Sequence, residues 1–165
     1  MTIAYRLFIF SVTALLVTAC ATGPKYDTSS IDLDITPLQA VNDSERLRGQ
    51  RVLWGGIIIA SDNLKAVTQF EILAYPLDSN QRPQTDKAPL GRFLAQHQGY
   101  VETADYTQGR LMTVSGLLQG TSTGRIGESE YSYPLVDIDN LYLWAARDDR
   151  PETSVHFGIG VQIHN

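Results

Sequence analysis

The side chain with the most definite chemistry is the single cysteine, Cys20, which closes the tetrad Val17-Thr18-Ala19-Cys20. A branched apolar residue, two small residues and a cysteine make a bacterial lipobox, the pattern that a lipoprotein peptidase cuts to leave the cysteine as residue one. Ahead of it, Arg6 and the amino terminus supply positive charge and an apolar run extends from Leu7 to Val17. That run fits the ~7–15-residue core of a secretory signal and is shorter than the ~20 residues that span a bilayer. The expectation is a signal peptide over 1–19, with a covalent diacylglycerol and an N-acyl chain on Cys20 and no other cofactor. One acyl chain binds reversibly, at the order of 10⁴ M⁻¹, whereas two or more hold a protein to a membrane. With its one thiol acylated, the exported domain has no disulfide and must rely on an apolar core.

Other reactive residues do not assemble into a recognisable machine. On the expected last strand His156 and His164 share a face, but eight residues at ~3.3 Å each set them ~26 Å apart. His97 is distant in sequence, so no metal site is expected. There is no Gly-x-Ser-x-Gly elbow, and Ser115-Gly116 falls within an expected strand. Glu71, Glu102, Glu128 and Glu130 could pair for acid/base glycan cleavage, yet their spacing does not demand it. Gly120, Gly124 and Gly127 do not open a helix after a strand, which removes a phosphate loop. A non-enzymatic protein is expected.

What remains is recognition. Trp54, Arg92, Tyr106, Arg110, Tyr131 and Tyr133 lie near expected strand ends and are residue types that carry energy at interfaces. The plainer role for Trp54 and the tyrosines is to cap the core. Charge narrows the partners. The chain has 13 Lys/Arg and 18 Asp/Glu, a balance of −5. Removing residues 1–19 takes only Arg6 from that count, leaving −6. Phosphate-backbone binding needs clustered cations, so nucleic acid is not an expected partner. Outer-membrane lipid, through the anchor, and an envelope protein or glycan are.

The elements that must position these residues begin after a Thr-, Ser-, Asp- and Gly-rich stretch, read as a flexible tether over 20–35. A barrel domain is expected over 36–165. Thr36-Pro37 has the form of a helix start, with Leu38 and Val41 as its apolar stripe and Gly49 as its stop. Six strands are then expected. Arg51 to Ala60 is apolar on both alternations and bends at Gly55-Gly56, before a turn at Ser61-Asp62-Asn63. Ala66 to Leu77 places Thr68, Phe70, Ile72 and Ala74 on one face, and Asp78 to Pro89 is a loop. Gly91 to Gln98 follows, with Phe93 and Ala95 inward. A turn of helix is expected near Asp105-Tyr106. Arg110 to Leu118 places Met112, Val114, Gly116 and Leu118 together, and Gln119 to Ser132 is a glycine-punctuated hairpin or loop. Leu135 to Trp144, broken at Asp139-Asn140, and Ser154 to His164 complete the set. The pattern is mainly β: a small antiparallel barrel, OB-like (oligonucleotide/oligosaccharide-binding), of about six strands with one or two short helical segments.

From about Arg46 to Trp144 the chain resembles the Slp family of bacterial lipoproteins, the starvation-inducible outer-membrane group. The residues that carry the likeness are Trp54-Gly55-Gly56, Asn63, Thr68 with Glu71, Pro76-Leu77 and Gly91-Arg92-Phe93. Gly109-Arg110, Thr113-Val114, Ile126-Gly127-Glu128, Tyr133-Pro134 and Leu143-Trp144 continue it. Leu53 stands where the family tends to have Arg. The resemblance implies a lipid-anchored protein of the Gram-negative outer membrane, linked to envelope stress or stationary phase, and Ala21 after the cysteine is compatible with export there. It brings no active site. Two uses remain open: support of the envelope through protein or polymer contacts, and carriage or sensing of a small lipid or glycan in the barrel mouth. A cell-wall-modifying enzyme is a third and weaker alternative.

Overall fold

The computed structural model describes residues 26–29 and 31–146. The signal segment, Cys20, His156, His164 and the strand expected over Ser154 to His164 lie outside the described residues. Two short helices, α1 (Pro37–Asn42) and α2 (Ser44–Leu47), precede five strands. These are β1 (Arg51–Asn63), β2 (Val67–Tyr75), β3 (Gly91–Gln98), β4 (Leu111–Ile126) and β5 (Ser129–Leu143). They close into a barrel in the order β1-β2-β3-β5-β4.

Every seam is antiparallel except one. Leu94–Gln96 of β3 runs parallel to Leu135–Asp137 of β5, so the barrel is not wholly antiparallel as expected. Direction dictates this. β4 is antiparallel to β1 and β5 to β4, so β5 runs the same way as β1 and β3.

Period-two alternation sends one face of each strand inward. Phe70, Ile72, Phe93, Ile58, Met112, Val52, Val114 and Val136 are fully buried and fill the interior. Burying each such side chain contributes about 1.5–3 kcal/mol. At the start of β1 the barrel end is plugged by Ile35, Ala40 and Leu47 of the helical segment. At the far end of β1, Val101 and Tyr106 from the 99–110 connection pack on the core, and Asn63 Nδ2 donates to Val101 O at 3.3 Å. Among the described residues, side chains thus pack against the core at both ends of β1.

Thr36 caps α1 as expected. Its Oγ1 accepts from Gln39 N at 3.3 Å, and the Gln39 side chain accepts from Thr36 N at 2.8 Å. The reciprocal pair satisfies two of the helix's free donors. The apolar stripe differs from the expectation, because Leu38 is 64 % exposed. α1 ends after six residues, and the buried face consists of Pro37 and Ala40, with Leu47 continuing it on α2.

β1 is apolar on both alternations because it is covered on both sides. Leu53 points away from the core yet is buried, under the 26–36 segment and the 76–90 loop. Gly55-Gly56 does not bend it; both residues pair on each side, and the register shift falls between Ile58 and Ala60. Glycine is required at 56 for backbone proximity, since a Cβ there would sit 1.9 Å from Leu73 O.

Other details correct or sharpen the sequence expectation. The β1–β2 turn lies at 64–66, closed by Leu64 N donating to Val67 O at 2.8 Å, with Ser61 to Asn63 still in β1. β4 and β5 continue through the Gly-rich stretch as a long hairpin that turns at Gly127, where φ is 61°. Around Tyr106 the chain makes hydrogen-bonded turns, with Tyr106 N donating to Thr103 O at 3.1 Å, and not a helix. The break expected at Asp139-Asn140 is a bulge: Ser115 pairs with Asn140 and Gly116 with Ile138.

Candidate functional site

Parallel pairing of β3 with β5 brings three of the six expected recognition residues to one place. On the outer face of β2, β3 and β5, Arg92 Nη1 donates to Glu71 Oε1 at 2.6 Å, and Tyr133 Oη donates to the same oxygen at 3.2 Å. Tyr131 Oη accepts from Arg92 N at 3.1 Å, and the Tyr131 and Tyr133 rings meet edge to face at 4.7 Å. The bond to Glu71 holds the Arg92 guanidinium pKa above its ordinary value. Burial, then the Glu71 charge, pushes the Tyr133 phenol up as well. Around the cluster, Gln96 Nε2 donates to Gln69 Oε1 at 2.9 Å and Gln98 Nε2 to Asp137 Oδ1 at 3.2 Å. The result is an amide-rich face with one paired cation and two phenols packed edge to face, Tyr131 half-buried and Tyr133 buried beneath it. Glu71 is the residue not singled out for recognition; its place on the outward alternation of β2, diagonal to Arg92 of the next strand, was the available signal.

The other three do not join them. Trp54 is buried in the core, edge-on to Phe93 at 5.1 Å, and its Nε1 donates to Ile35 O at 2.7 Å. Tyr106 packs on Phe70 at 5.2 Å, and burial raises its phenol pKa, with Asp105 adding to the rise. For these two the capping role holds. Arg110 is a strut at the same end, donating from Nη1 to Asp105 O at 3.1 Å and from Nη2 to Trp144 O at 2.8 Å.

A second feature lies outside the barrel. Tyr26 N donates to Gln81 Oε1 at 2.8 Å and Gln81 Nε2 to Tyr26 O at 3.1 Å, so part of the stretch expected to be free tether is docked. Thr113 Oγ1 donates to Gln81 O at 2.8 Å and accepts from Trp144 Nε1 at 2.9 Å. Gln81 has φ of 64°, the left-handed region that non-glycine residues seldom occupy, so nothing in the sequence signalled its role. Beside this knot a cleft of ≈ 560 Å³ is walled by Leu33, Ile35, Leu53, Leu77 and Leu90, with Asp34 and Asp78 at its polar side. Among the described residues no group of three or more His, Cys, Asp or Glu is placed to hold a metal.

The family model described as "Outer membrane lipoprotein Slp family" matches residues 17–160. The chain belongs to the Slp family. Lipoprotein YeaY of Escherichia coli is 30% identical over 132 residues, covering 79% of this chain and 68% of that one. Outer membrane protein Slp of Escherichia coli is 29% identical over 137 residues, covering 82% and 72%. The localisation expected from the lipobox, the outer membrane, is that of the Slp family. Two solved structures are similar to part of this chain. One is a small single-stranded DNA-binding protein from Streptomyces coelicolor, at a TM-score of 0.36 and 12% identity over 60% of this chain and 97% of that one. The other is Schizosaccharomyces pombe Pot1pC bound to single-stranded DNA, at 0.32 and 8% over 73% and 90%. Neither likeness bears on what this Slp-family protein binds.

Proposed function

We propose that this outer membrane lipoprotein is anchored by acyl chains on Cys20 and acts without catalysis. It meets an envelope protein or surface polymer through the Glu71–Arg92–Tyr131–Tyr133 face, and by that contact supports envelope integrity under stress or in stationary phase. Residues 1–19 are the signal, and the described body from Tyr26 onward belongs with the barrel. The five-stranded ring with its crossover from β3 to β4 supports an OB-type reading, and in such barrels the β2–β3 face is the usual binding surface. The observation that carries the proposal is the convergence of Arg92, Tyr131 and Tyr133 on that face. A buried interior, with side chains packed against it at both ends of β1, supports a surface mode over an internal one. The family match also takes in the Val17–Cys20 tetrad, which supports the anchor.

The test is crosslinking of the membrane-inserted protein in intact envelopes, followed by recovery of what is bound. Tyr131→Ala and Arg92→Ala should each lose the crosslinked species with the fold intact; equal recovery would refute the surface assignment. Independently, Cys20→Ser should accumulate as a precursor still carrying residues 1–19. The cleft beside Gln81 favours one other reading, carriage of a small amphiphile, for which thermal stabilisation by a lipid or muropeptide without any protein partner is the deciding result.

A further inference from the structure

Among the described residues Arg82, Arg110 and Arg125 are in no ion pair, and the first two share a pocket. A pocket of ≈ 320 Å³ is lined by Arg82, Thr85, Gly109 and Arg110, with Ile57, Leu111, Ala145 and Ala146 as its apolar wall. Among the described residues its lining includes two arginines and no Asp or Glu. Among the described residues, Arg46, Arg48, Arg51 and Arg92 have acidic partners, whereas neither Arg82 nor Arg110 is in an ion pair. Asp78 is close, but its Oδ1 accepts from the Arg82 backbone N at 2.9 Å. Arg82 lies over the Trp144 ring, its Cζ 5.0 Å from the centroid, which fixes its position without neutralising it. Arg110 donates only to main-chain oxygens, and its Nε is buried with no acceptor. That Nε is sealed from solvent, so what Arg110 can offer a ligand is the second N–H of each Nη, together with its unneutralised charge.

We propose that the Arg82–Arg110 pocket binds the phosphate group of a phosphate ester. Planar guanidinium forks match the oxygens of a phosphate, and two of them exceed what a lone carboxylate can use. The Thr85 hydroxyl adds a neutral donor. A bare ion would leave the Ile57, Leu111 and alanine wall uncovered, so the ligand carries an organic portion beside its phosphate. Such a pocket on a chain with a net charge of −5 discriminates for anions locally against an overall repulsive field. It lies away from the Glu71–Arg92 face, whose cation is already paired.

The chemistry has two sources, a soluble phosphate ester or a phospholipid headgroup, and one experiment separates them. Full-length protein extracted in a non-ionic detergent is titrated with glycerol 3-phosphate and, separately, with mixed micelles containing phosphatidylglycerol, following the change in tryptophan fluorescence, to which Trp144 under Arg82 contributes beside the core Trp54. Chloride and phosphatidylcholine micelles are the controls. A saturable change with glycerol 3-phosphate identifies the soluble source, and one confined to phosphatidylglycerol identifies the headgroup. In either case Arg82→Gln should raise the half-saturating concentration at least tenfold with its melting temperature unchanged. Arg110→Lys, which keeps the charge and loses the fork, should weaken binding as well and serves as the test if the first variant does not fold. No saturation by either probe, or wild-type affinity in the folded variants, overturns the proposal.

Discussion

Along β2 the inward side chains Thr68, Phe70, Ile72 and Ala74 are sealed from water, while the outward Gln69, Glu71, Leu73 and Tyr75 remain half-buried. Adjacent residues of one strand thus serve two purposes. The inward set is buried, and from the outward set Glu71 meets Arg92 and Tyr133. On the proposed reading, alternation separates stability from recognition, so substitutions on the two faces should differ in kind. Phe70→Ala removes a fully buried ring and should cost about 3–5 kcal/mol in chemical denaturation. Gln69→Ala, one residue away, should change stability by no more than about 0.5 kcal/mol. Comparable losses at both positions would dissolve the distinction.

The next largest effect concerns the plug. Trp54→Phe keeps an aromatic ring against Phe93 but leaves Ile35 O without the indole donor. An orphaned buried acceptor costs on the order of 1–3 kcal/mol. Limited proteolysis should then cut within 31–36 before the barrel opens. Unchanged protection would mean that α1 and α2 are held by Ala40 and Leu47 alone. On the outer face, Glu71→Gln weakens the bond to Arg92 and to Tyr133. Both charged partners are partly exposed, so the stability loss should be about 1 kcal/mol or less. Envelope crosslinking, by contrast, should fall severalfold, and that contrast is the sharpest form of the comparison.

How much of this was legible in sequence follows the same division. Where one face is buried, alternation is strict, and β3 and the inward residues of β2 could be read directly. The β4–β5 hairpin from Thr121 to Pro134 has no core to face on both sides, so its Thr, Ser and Gly residues gave no period and read only as a hairpin or loop, without the strand pairing. Leu38 misled for the opposite reason: an apolar residue at helical spacing was counted as buried although the helix stops before that stripe is needed. Of the six recognition residues, Arg92, Tyr131 and Tyr133 converge only because β5 pairs with β3. That pairing joins residues some forty positions apart and depends on the topology of the whole ring. Arg82 and Gln81 were invisible in sequence, one an ordinary loop cation and the other a glutamine held at positive φ.

The smallest effect tests the other covered surface, where the 26–36 segment lies over β1 and β4. Tyr26 is half-buried there, and its phenol pKa is pushed up from 10.0 to about 12, by burial first and then by the neighbouring Tyr142. The folded state therefore holds this proton more tightly than the unfolded chain does. Its contribution to stability is intact below pH 10 and is lost as the pH rises towards 12. Solvent access to the ring reduces the size of the effect, so it should appear as a modest fall in melting temperature. Tyr100, Tyr106 and Tyr133 are raised too and act with the same sign, which makes the difference between wild type and Tyr26→Phe the informative quantity. Across that alkaline window the phenylalanine variant should decline less steeply. Parallel curves would mean that the segment leaves Gln81 and Thr113 in solution, returning the free tether to the length expected from its composition.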